Sequence, residues 1–234
     1  EFALQLAASL EPAFVVHLGD LVQAYPETAD YTDACTEARR QIAAIGLTPH
    51  VAVGNHDVGD KPDPTMPTAP VEPGFLNGYH GEYGCSWYSF DHGNCHFAVI
   101  NSQILNQTNI HAAEQKAWLE RDLSAAAGKR PFLFLHLPPY LHLPNEPHLG
   151  HYDNIGEPAR EWLLDLVREH AVEMLLAAHV HFIFHDLVGA TSYYTLPSTS
   201  FARPGFSHLF TSGPPPERGR DDVGKLGFFL CRVR

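Results

Sequence analysis

The sequence predicts a single α/β domain that spans residues 1–234. Short apolar runs alternate along the chain with amphipathic helical patterns, which is typical of strands in a sheet that helices cover. The chain has 234 residues, of which 44% are hydrophobic, and this is enough for one large core. The sequence shows neither an internal repeat nor a linker that would divide it, so we expect one domain.

The first part of the chain has the pattern of a βαβ unit. An apolar run at 14–18 predicts a strand that ends in Gly19-Asp20. A helix over 32–45 follows, and a second apolar strand at 50–53 ends in Gly54-Asn55-His56-Asp57. This order predicts two parallel strands joined by a helix, with their carboxyl ends at the same edge of a sheet.

The rest of the chain continues this alternation. Strands at 87–90 and 96–100 flank a turn at 91–94 and predict a β-hairpin. Further strands are expected at 131–135, 172–176, 192–196 and 226–233. The helical spacing of apolar residues predicts helices at 2–10, 114–126 and 159–170. Pro and Gly without periodicity predict long loops at 59–84, 138–158 and 203–224.

Charge and composition argue against several classes of partner. The formal net charge is -12, and because nucleic acids and anionic membranes bind basic patches, neither is expected as a partner. No apolar run approaches the roughly 20 residues of a membrane span. We favour a cytoplasmic location, and the oligomeric state stays open. Sixteen histidines make metal chemistry the first hypothesis, because His is the commonest metal ligand.

Four of the predicted strands end in residues that can bind a metal ion. These residues are Asp20, Asn55, His136 and the pair His179 and His181. Ligands of open α/β sheets bind at the carboxyl ends of the strands, so this fold class would gather five candidate ligands along one edge. A mixture of carboxylate, amide and imidazole ligands suits Mn, Fe or Zn.

The order and spacing of these motifs resemble the calcineurin-like metallophosphoesterases over nearly the whole chain. The motifs are Gly19-Asp20, Gly54-Asn55-His56-Asp57, the lone His136 after a strand, and His179-x-His181. Residues 19–26, 101–103 and 136–140 look most like the branch of calcineurin-like phosphoesterase domain-containing proteins that includes animal protein phosphatases. The resemblance implies a four-layer sandwich, in which two mixed β-sheets are flanked by helices.

The resemblance also implies a metal centre. Asp20 would bridge two divalent or trivalent ions of Mn, Fe or Zn. The second ion would be completed by Asn55, His136 and His179, and His181 would belong to the first ion.

A catalytic pair is implied as well. His56 would protonate the leaving oxygen of a phosphoester, and Asp57 would orient His56. The implied reaction is hydrolysis of a phosphoester by a metal-activated water, and the substrate would be a phosphorylated small molecule or phosphoprotein.

The sequence departs from the family pattern by a missing motif and by the residue at position 23. The family begins with a strand that ends in Asp-x-His and supplies two ligands of the first metal, but this sequence contains no Asp-x-His. We expect the chain to be N-terminally incomplete, with that strand before Glu1. Otherwise the first metal keeps only Asp20 and His181, and the chain binds one ion. Gln23 stands where purple acid phosphatases carry a tyrosine that binds ferric iron, so a purple enzyme is not expected.

The sequence leaves three functions open. The first is a phosphatase, which the branch resemblance favours over a phosphodiesterase. The second is a catalytically impaired or non-catalytic homologue that binds one metal or none. The third is a scaffold that binds partners through the Pro-rich loops at 138–158 and 203–216. In the first of these loops, Tyr140 and Tyr152 could stack on a substrate or pack the loop down.

Overall fold

The computed structural model of the chain describes residues 2–44, 46, 48–64, 66–146, 152–203 and 223–234. It confirms the expected α/β fold, with a six-stranded mixed sheet and a two-stranded parallel sheet flanked by helices. Most of the loop expected at 203–224 lies outside the described residues. Within them, no helix is both long enough and apolar enough to cross a membrane.

The helices and strands follow each other in the expected alternation. The strands are β1 (Val16–His17), β2 (His50–Val51), β3 (Tyr88–His92), β4 (Cys95–Val99), β5 (Arg130–Phe134), β6 (Met174–Ala177), β7 (Phe184–Val188) and β8 (Thr191–Thr195). The helices are α1 (Phe2–Ser9), α2 (Tyr31–Ala43), α3 (Asn55–Val58), α4 (Pro73–Tyr83), α5 (Ile110–Ala125) and α6 (Ala159–Glu169). Short 3₁₀ helices lie at Ser102–Ile104 and Val223–Lys225.

The strand order of the larger sheet is β3-β4-β5-β6-β8-β7. Strands β4, β5, β6 and β8 run parallel, while β3 and β7 pair antiparallel with their neighbours at the two edges. In the smaller sheet β1 runs parallel to β2, with Val16 opposite His50 and His17 opposite Val51. Helix α2 connects these two strands, so the predicted βαβ unit is confirmed.

Alternate residues of β5 face two different hydrophobic clusters. Leu133 packs in a cluster with Leu119 of α5 and Leu163 of α6. Phe132, on the opposite face of the sheet, packs in a cluster that includes Leu18, which directly follows β1. Because successive side chains of a strand point to opposite faces, helices cover one face of the larger sheet and the smaller sheet covers the other.

Two segments contain structure that was not expected. Helix α4 lies inside the expected loop at 59–84 and buries Leu76 and Tyr79. Gly74, Gly78 and Gly81 weaken the helical pattern of this segment, so the sequence did not indicate a helix. Strand β7 was not expected and pairs with β8 across a two-residue turn.

The strand expected at 226–233 is wrong. Among the described residues, no strand pairs with this segment. A single backbone hydrogen bond, from the Gly227 N–H to the Ser198 carbonyl, joins it to the segment after β8. Leu230 and Val233 are exposed, so apolar composition alone did not place this segment in a sheet.

Two glycines let the ends of β1 and β2 approach each other closely. Gly19 has a φ of +92°, and a Cβ at this position would lie 2.6 Å from the Gly54 backbone nitrogen. A Cβ on Gly54 would lie 2.2 Å from Oδ1 of Asp20. Such distances are far below van der Waals contact, so both positions require glycine.

We expect Gly54→Ala to lower the free energy of unfolding by about 1–3 kcal/mol, because the added methyl group must push Asp20 away. The matched control is Gly78→Ala in α4, where a Cβ would meet no heavy atom of the described residues within 4 Å. This control is expected to raise the stability by about 0.5–1 kcal/mol. Urea unfolding measures both, and a Gly54→Ala variant as stable as the parent protein would contradict the close approach.

Candidate metal centre

Four side chains from four strand ends converge on one point. Asp20 follows β1, Asn55 begins α3 after β2, His136 follows β5 and His179 follows β6. His136 Nε2 lies 3.2 Å from Asp20 Oδ2, 3.3 Å from Asn55 Oδ1 and 3.1 Å from His179 Nδ1. The ligand atoms of Asp20, His136 and His179 lie within 4.8 Å of one another. We call these four residues the ligand cluster.

The hydrogen bonds of the two imidazoles fit a metal ion. His136 Nδ1 lies 2.6 Å from the Leu18 carbonyl, and since a carbonyl only accepts, Nδ1 carries the proton and Nε2 faces the cluster. His136 Nε2 and His179 Nδ1 face each other at 3.1 Å. Two nitrogen lone pairs repel at this distance unless a proton or a cation lies between them. Two nitrogens with a carboxylate and an amide oxygen form a donor set for Mn, Fe or Zn.

The protonation states of Asp20 and His179 also suit metal binding. Burial raises the pKa of Asp20, but the charge and the hydrogen bond of His136 in its protonated form outweigh burial, and the net pKa lies well below its usual value. Burial and the charge of His136 hold the pKa of His179 well below that of an ordinary histidine. A carboxylate and a neutral imidazole are therefore present at neutral pH, and these are the forms that bind metals.

Three predicted site residues adopt a left-handed backbone conformation. The φ angles are 56° at Asp20, 66° at His179 and 60° at His181. This region costs an L-residue about 1–2 kcal/mol, and it is uncommon outside glycine. Asp20 and His179 lie within three residues of the ends of β1 and β6, so the chain turns sharply where these strands end.

Asp57 fastens the loops after β1 and β2 to each other. Its carboxylate accepts hydrogen bonds from the backbone N–H groups of Asp20 at 2.9 Å, Leu21 at 2.9 Å and Gly54 at 2.8 Å. The tyrosine at the start of α2, Tyr31, donates its hydroxyl hydrogen to the Asp57 carbonyl at 2.6 Å. Asp57 is thus a buried clamp for the backbone that carries Asp20.

The expectation that Asp57 orients His56 is wrong. His56 Nδ1 lies instead 2.7 Å from the backbone carbonyl of Gln23, while all the bonds of the Asp57 carboxylate described above go to backbone N–H groups. Because a carbonyl only accepts, His56 Nδ1 carries a proton, and Nε2 is the nitrogen that can transfer a proton. The His56 backbone N–H also donates to Asp20 Oδ1 at 3.0 Å, which joins His56 to the ligand cluster.

His181 does not join the ligand cluster. Its Nδ1 lies 3.0 Å from the Phe201 carbonyl, so Nδ1 is the protonated nitrogen and Nε2 offers a lone pair. Burial, followed by the charge of Arg203, lowers the pKa of His181 to about 4, which keeps the ring neutral at pH 7. The structure therefore brings four of the five predicted metal ligands together and places the fifth beside them.

The sequence did not distinguish between the two tyrosines of the loop after His136. Tyr152 faces the site: its hydroxyl accepts a hydrogen bond from Asn55 Nδ2 at 2.9 Å, and its ring lies 4.5 Å from that of His179. Tyr140 packs the loop down, since it is fully buried and donates its hydroxyl hydrogen to Asp186.

Two more site residues were missed by the sequence. Tyr25 stacks on His56, with ring centroids 4.0 Å apart, and Asp153 lies with Oδ1 3.8 Å from His179 Nε2. Arg203 donates to the same Asp153 oxygen at 2.6 Å. Both missed residues lie in loops, where no periodic pattern marks which side chains turn inward.

A buried carboxylate holds the loop that carries Tyr152 and Asp153. Glu146 accepts hydrogen bonds from three successive backbone N–H groups, those of Leu141, His142 and Leu143, and from Asn154 Nδ2. Its charge is thus dispersed over several donors, which a buried carboxylate requires.

Comparison with known structures shows the same fold. A purple acid phosphatase from yellow lupin (Lupinus luteus) is 18% identical, with a TM-score of 0.56 over 82% of this chain and 38% of its own. PhoD is 15% identical, with a TM-score of 0.62 over 84% of this chain and 53% of its own. GAP50 of Plasmodium, described as an anchor in the inner membrane complex, is 14% identical, with a TM-score of 0.50 over 87% of this chain and 75% of its own.

The extent of these matches limits what they show. This chain spans 38% and 53% of the lengths of the first two structures, and at such low identity the likeness concerns the fold. No curated protein sequence matches the chain. The family model of the calcineurin-like phosphoesterases, in contrast, matches residues 2–182, which include all five predicted ligands and both residues of the expected catalytic pair. The chain therefore belongs to the calcineurin-like phosphoesterase family.

Proposed function

We propose that this chain is the catalytic domain of a metal-dependent phosphatase. The observation that carries the proposal is the convergence of Asp20, Asn55, His136 and His179 on one point, with His56 bonded to Asp20 beside them. A metal centre with a proton donor beside it is what phosphoester hydrolysis needs, since this reaction depends on charge neutralisation and positioning.

The ligand cluster would hold one ion of Mn, Fe or Zn. When bound, the ion supplies a Lewis acid that neutralises phosphate charge and activates water. We extend the proposal to a second ion, for which Asp20 and His181 supply ligands, as the family resemblance implies. A neutral His181 with its lone pair at Nε2 supports this extension.

His56 handles the proton that the reaction must deliver. The oxygen of water forms a bond to phosphorus, the ester P–O bond breaks, and the leaving oxygen takes a proton from His56 Nε2. The proton that the attacking water loses passes to solvent, from which His56 is protonated again. The Gln23 carbonyl accepts from Nδ1 and so keeps Nε2 as the transferring nitrogen. The bond from the His56 backbone N–H to Asp20 Oδ1 keeps this donor at a constant distance from the ligand cluster.

A non-catalytic homologue that binds one ion is the second candidate function. The observation that favours it is the absence of Asp-x-His from this sequence, which leaves the other ion only Asp20 and His181 and so provides one half of a dinuclear clamp. GAP50 of Plasmodium, which is similar in fold, is described as an anchor. An assay of turnover with Mn, Fe or Zn separates the two candidates, since the anchor function needs no hydrolysis.

We expect His136→Ala and His179→Ala to lose both bound metal and at least about 100-fold of the phosphatase activity, because each removes a ligand of the same ion. Metal content after dialysis and initial rates with p-nitrophenyl phosphate measure this outcome. The matched control is His185→Ala, an exposed histidine of β7, which should keep both properties. Full metal content in His136→Ala would contradict the proposed ligand cluster.

The preference for monoesters is tested separately. We expect the metal-loaded protein to hydrolyse p-nitrophenyl phosphate faster than bis(p-nitrophenyl) phosphate, with at least a tenfold difference in kcat/KM. A faster rate with the diester would replace the phosphatase by a phosphodiesterase. No turnover of either compound with Mn, Fe or Zn would favour the non-catalytic candidate.

Substitutions of Asp57 test its part as a backbone clamp. We expect Asp57→Ala to lower the free energy of unfolding by about 3 kcal/mol or more, since three N–H groups lose their acceptor. Asp57→Asn keeps one acceptor oxygen and should fall between the parent and Asp57→Ala. Chemical denaturation measures this order. A variant Asp57→Ala that is inactive yet as stable as the parent would instead assign Asp57 to catalysis.

A further inference from the structure

We propose that Tyr25 is a positioning residue, which holds the proton donor His56 in line by stacking against its imidazole. The inference rests on the proposed function, because His56 transfers a proton only if the chain hydrolyses a phosphoester. The two rings are nearly parallel, with an interplanar angle of 23° and centroids 4.0 Å apart. This is the geometry of an offset or face-to-face contact, in which each ring limits the tilt of the other.

The hydrogen bonds of His56 alone leave its imidazole ring free to tilt. The bond from Nδ1 to the Gln23 carbonyl fixes one corner of the ring at 2.7 Å, and the bond from the backbone N–H to Asp20 fixes the main chain. A ring held at Cγ by its own Cβ and at Nδ1 by one hydrogen bond still tilts about the line through these two atoms. Nε2 lies opposite this line and moves most. Stacking by Tyr25 opposes this tilt, so it acts on the nitrogen that transfers the proton.

Tyr25 is itself held at both ends. Its backbone carbonyl accepts hydrogen bonds from the N–H of Thr28 at 2.9 Å and from the Thr28 hydroxyl at 2.8 Å. Its own hydroxyl lies 3.5 Å from that of Tyr152, which accepts from Asn55 Nδ2 at 2.9 Å. The stacked ring is therefore tied at its outer end to Asn55, a residue of the ligand cluster.

Esters with different leaving groups report whether His56 is correctly positioned as the proton donor. A dinitrophenolate leaves readily without a proton, whereas a phenolate benefits from protonation as the P–O bond breaks. A misplaced His56 therefore slows the hydrolysis of the phenyl ester more than the hydrolysis of the dinitrophenyl ester. A loss that came from a general disturbance of the fold or of the ligand cluster would slow all esters alike.

The experiment compares Tyr25→Leu, which removes the aromatic ring, with Tyr25→Phe, which keeps it and removes the hydroxyl. For Tyr25→Leu we expect kcat with phenyl phosphate to fall about tenfold or more, as general acid catalysis is worth about 100-fold or more. The kcat with 2,4-dinitrophenyl phosphate should fall less than threefold, and KM should stay within twofold. Tyr25→Phe should recover most of the loss, while His56→Ala should show the same leaving-group dependence with a larger amplitude.

Two results would overturn the inference. One is an equal loss with both esters in a Tyr25→Leu variant that keeps the metal content and melting temperature of the parent. The other is a Tyr25→Phe variant as slow as Tyr25→Leu, which would assign the effect to the hydroxyl. Absence of turnover in the parent protein with every ester refutes the proposed function itself, and the two failures are therefore distinguishable.

Discussion

The carboxylate of Asp57 is the constraint on which the rest of the site depends. It accepts hydrogen bonds from backbone N–H groups that follow β1 and β2, and the same two segments carry Asp20, Asn55 and His56. The two loops approach so closely that Gly54 has no room for a side chain beside Asp20. One buried carboxylate thus joins the backbone that carries Asp20 to the backbone that carries Asn55 and His56, and the bond from the His56 N–H to Asp20 Oδ1 adds to it.

The site contains backbone conformations that cost conformational energy, and hydrogen bonds hold them in place. Asp20, His179 and His181 all have positive φ angles, a conformation that side chains other than glycine rarely adopt. Such strain persists where surrounding contacts outweigh it, and it is frequent at functional sites. Here the Asp57 clamp holds the turn at Asp20, and the Phe201 carbonyl holds the ring of His181. The ligands are consequently preorganised, which reduces the cost of ordering them around an ion.

Much of this arrangement could be predicted from the sequence, because apolar runs mark the strands and each ligand directly follows one. The ends of neighbouring parallel strands share an edge, so the order of residues along the chain predicts that Asp20 lies near Asn55 and that His136 lies near His179. The expectation of a single edge is wrong, because the two pairs belong to different sheets and meet only where these sheets pack on each other. Contacts made by the backbone could not be predicted in this way. Nothing in the residue type of Gln23 shows that its carbonyl meets His56, and the carboxylate of Asp57 was assigned to that ring by analogy. Loop residues such as Tyr25 and Tyr152 carry no periodic signal, and the apolar segment 226–233 has a strand-like composition without a partner strand among the described residues.

The hydrogen bond from His136 Nδ1 to the Leu18 carbonyl has a thermodynamic consequence. It joins the end of β5 in the larger sheet to the end of β1 in the smaller sheet, at a distance of 2.6 Å. The imidazole that faces the ligand cluster with one nitrogen thus pins the two sheets together with the other. By linkage, an ion that binds this imidazole in the folded chain stabilises the docking of the sheets, and sheet docking raises the affinity for the ion by the same free energy. The smaller sheet is in this sense part of the metal site, although Asp20 and Asn55 follow its strands rather than lie in them.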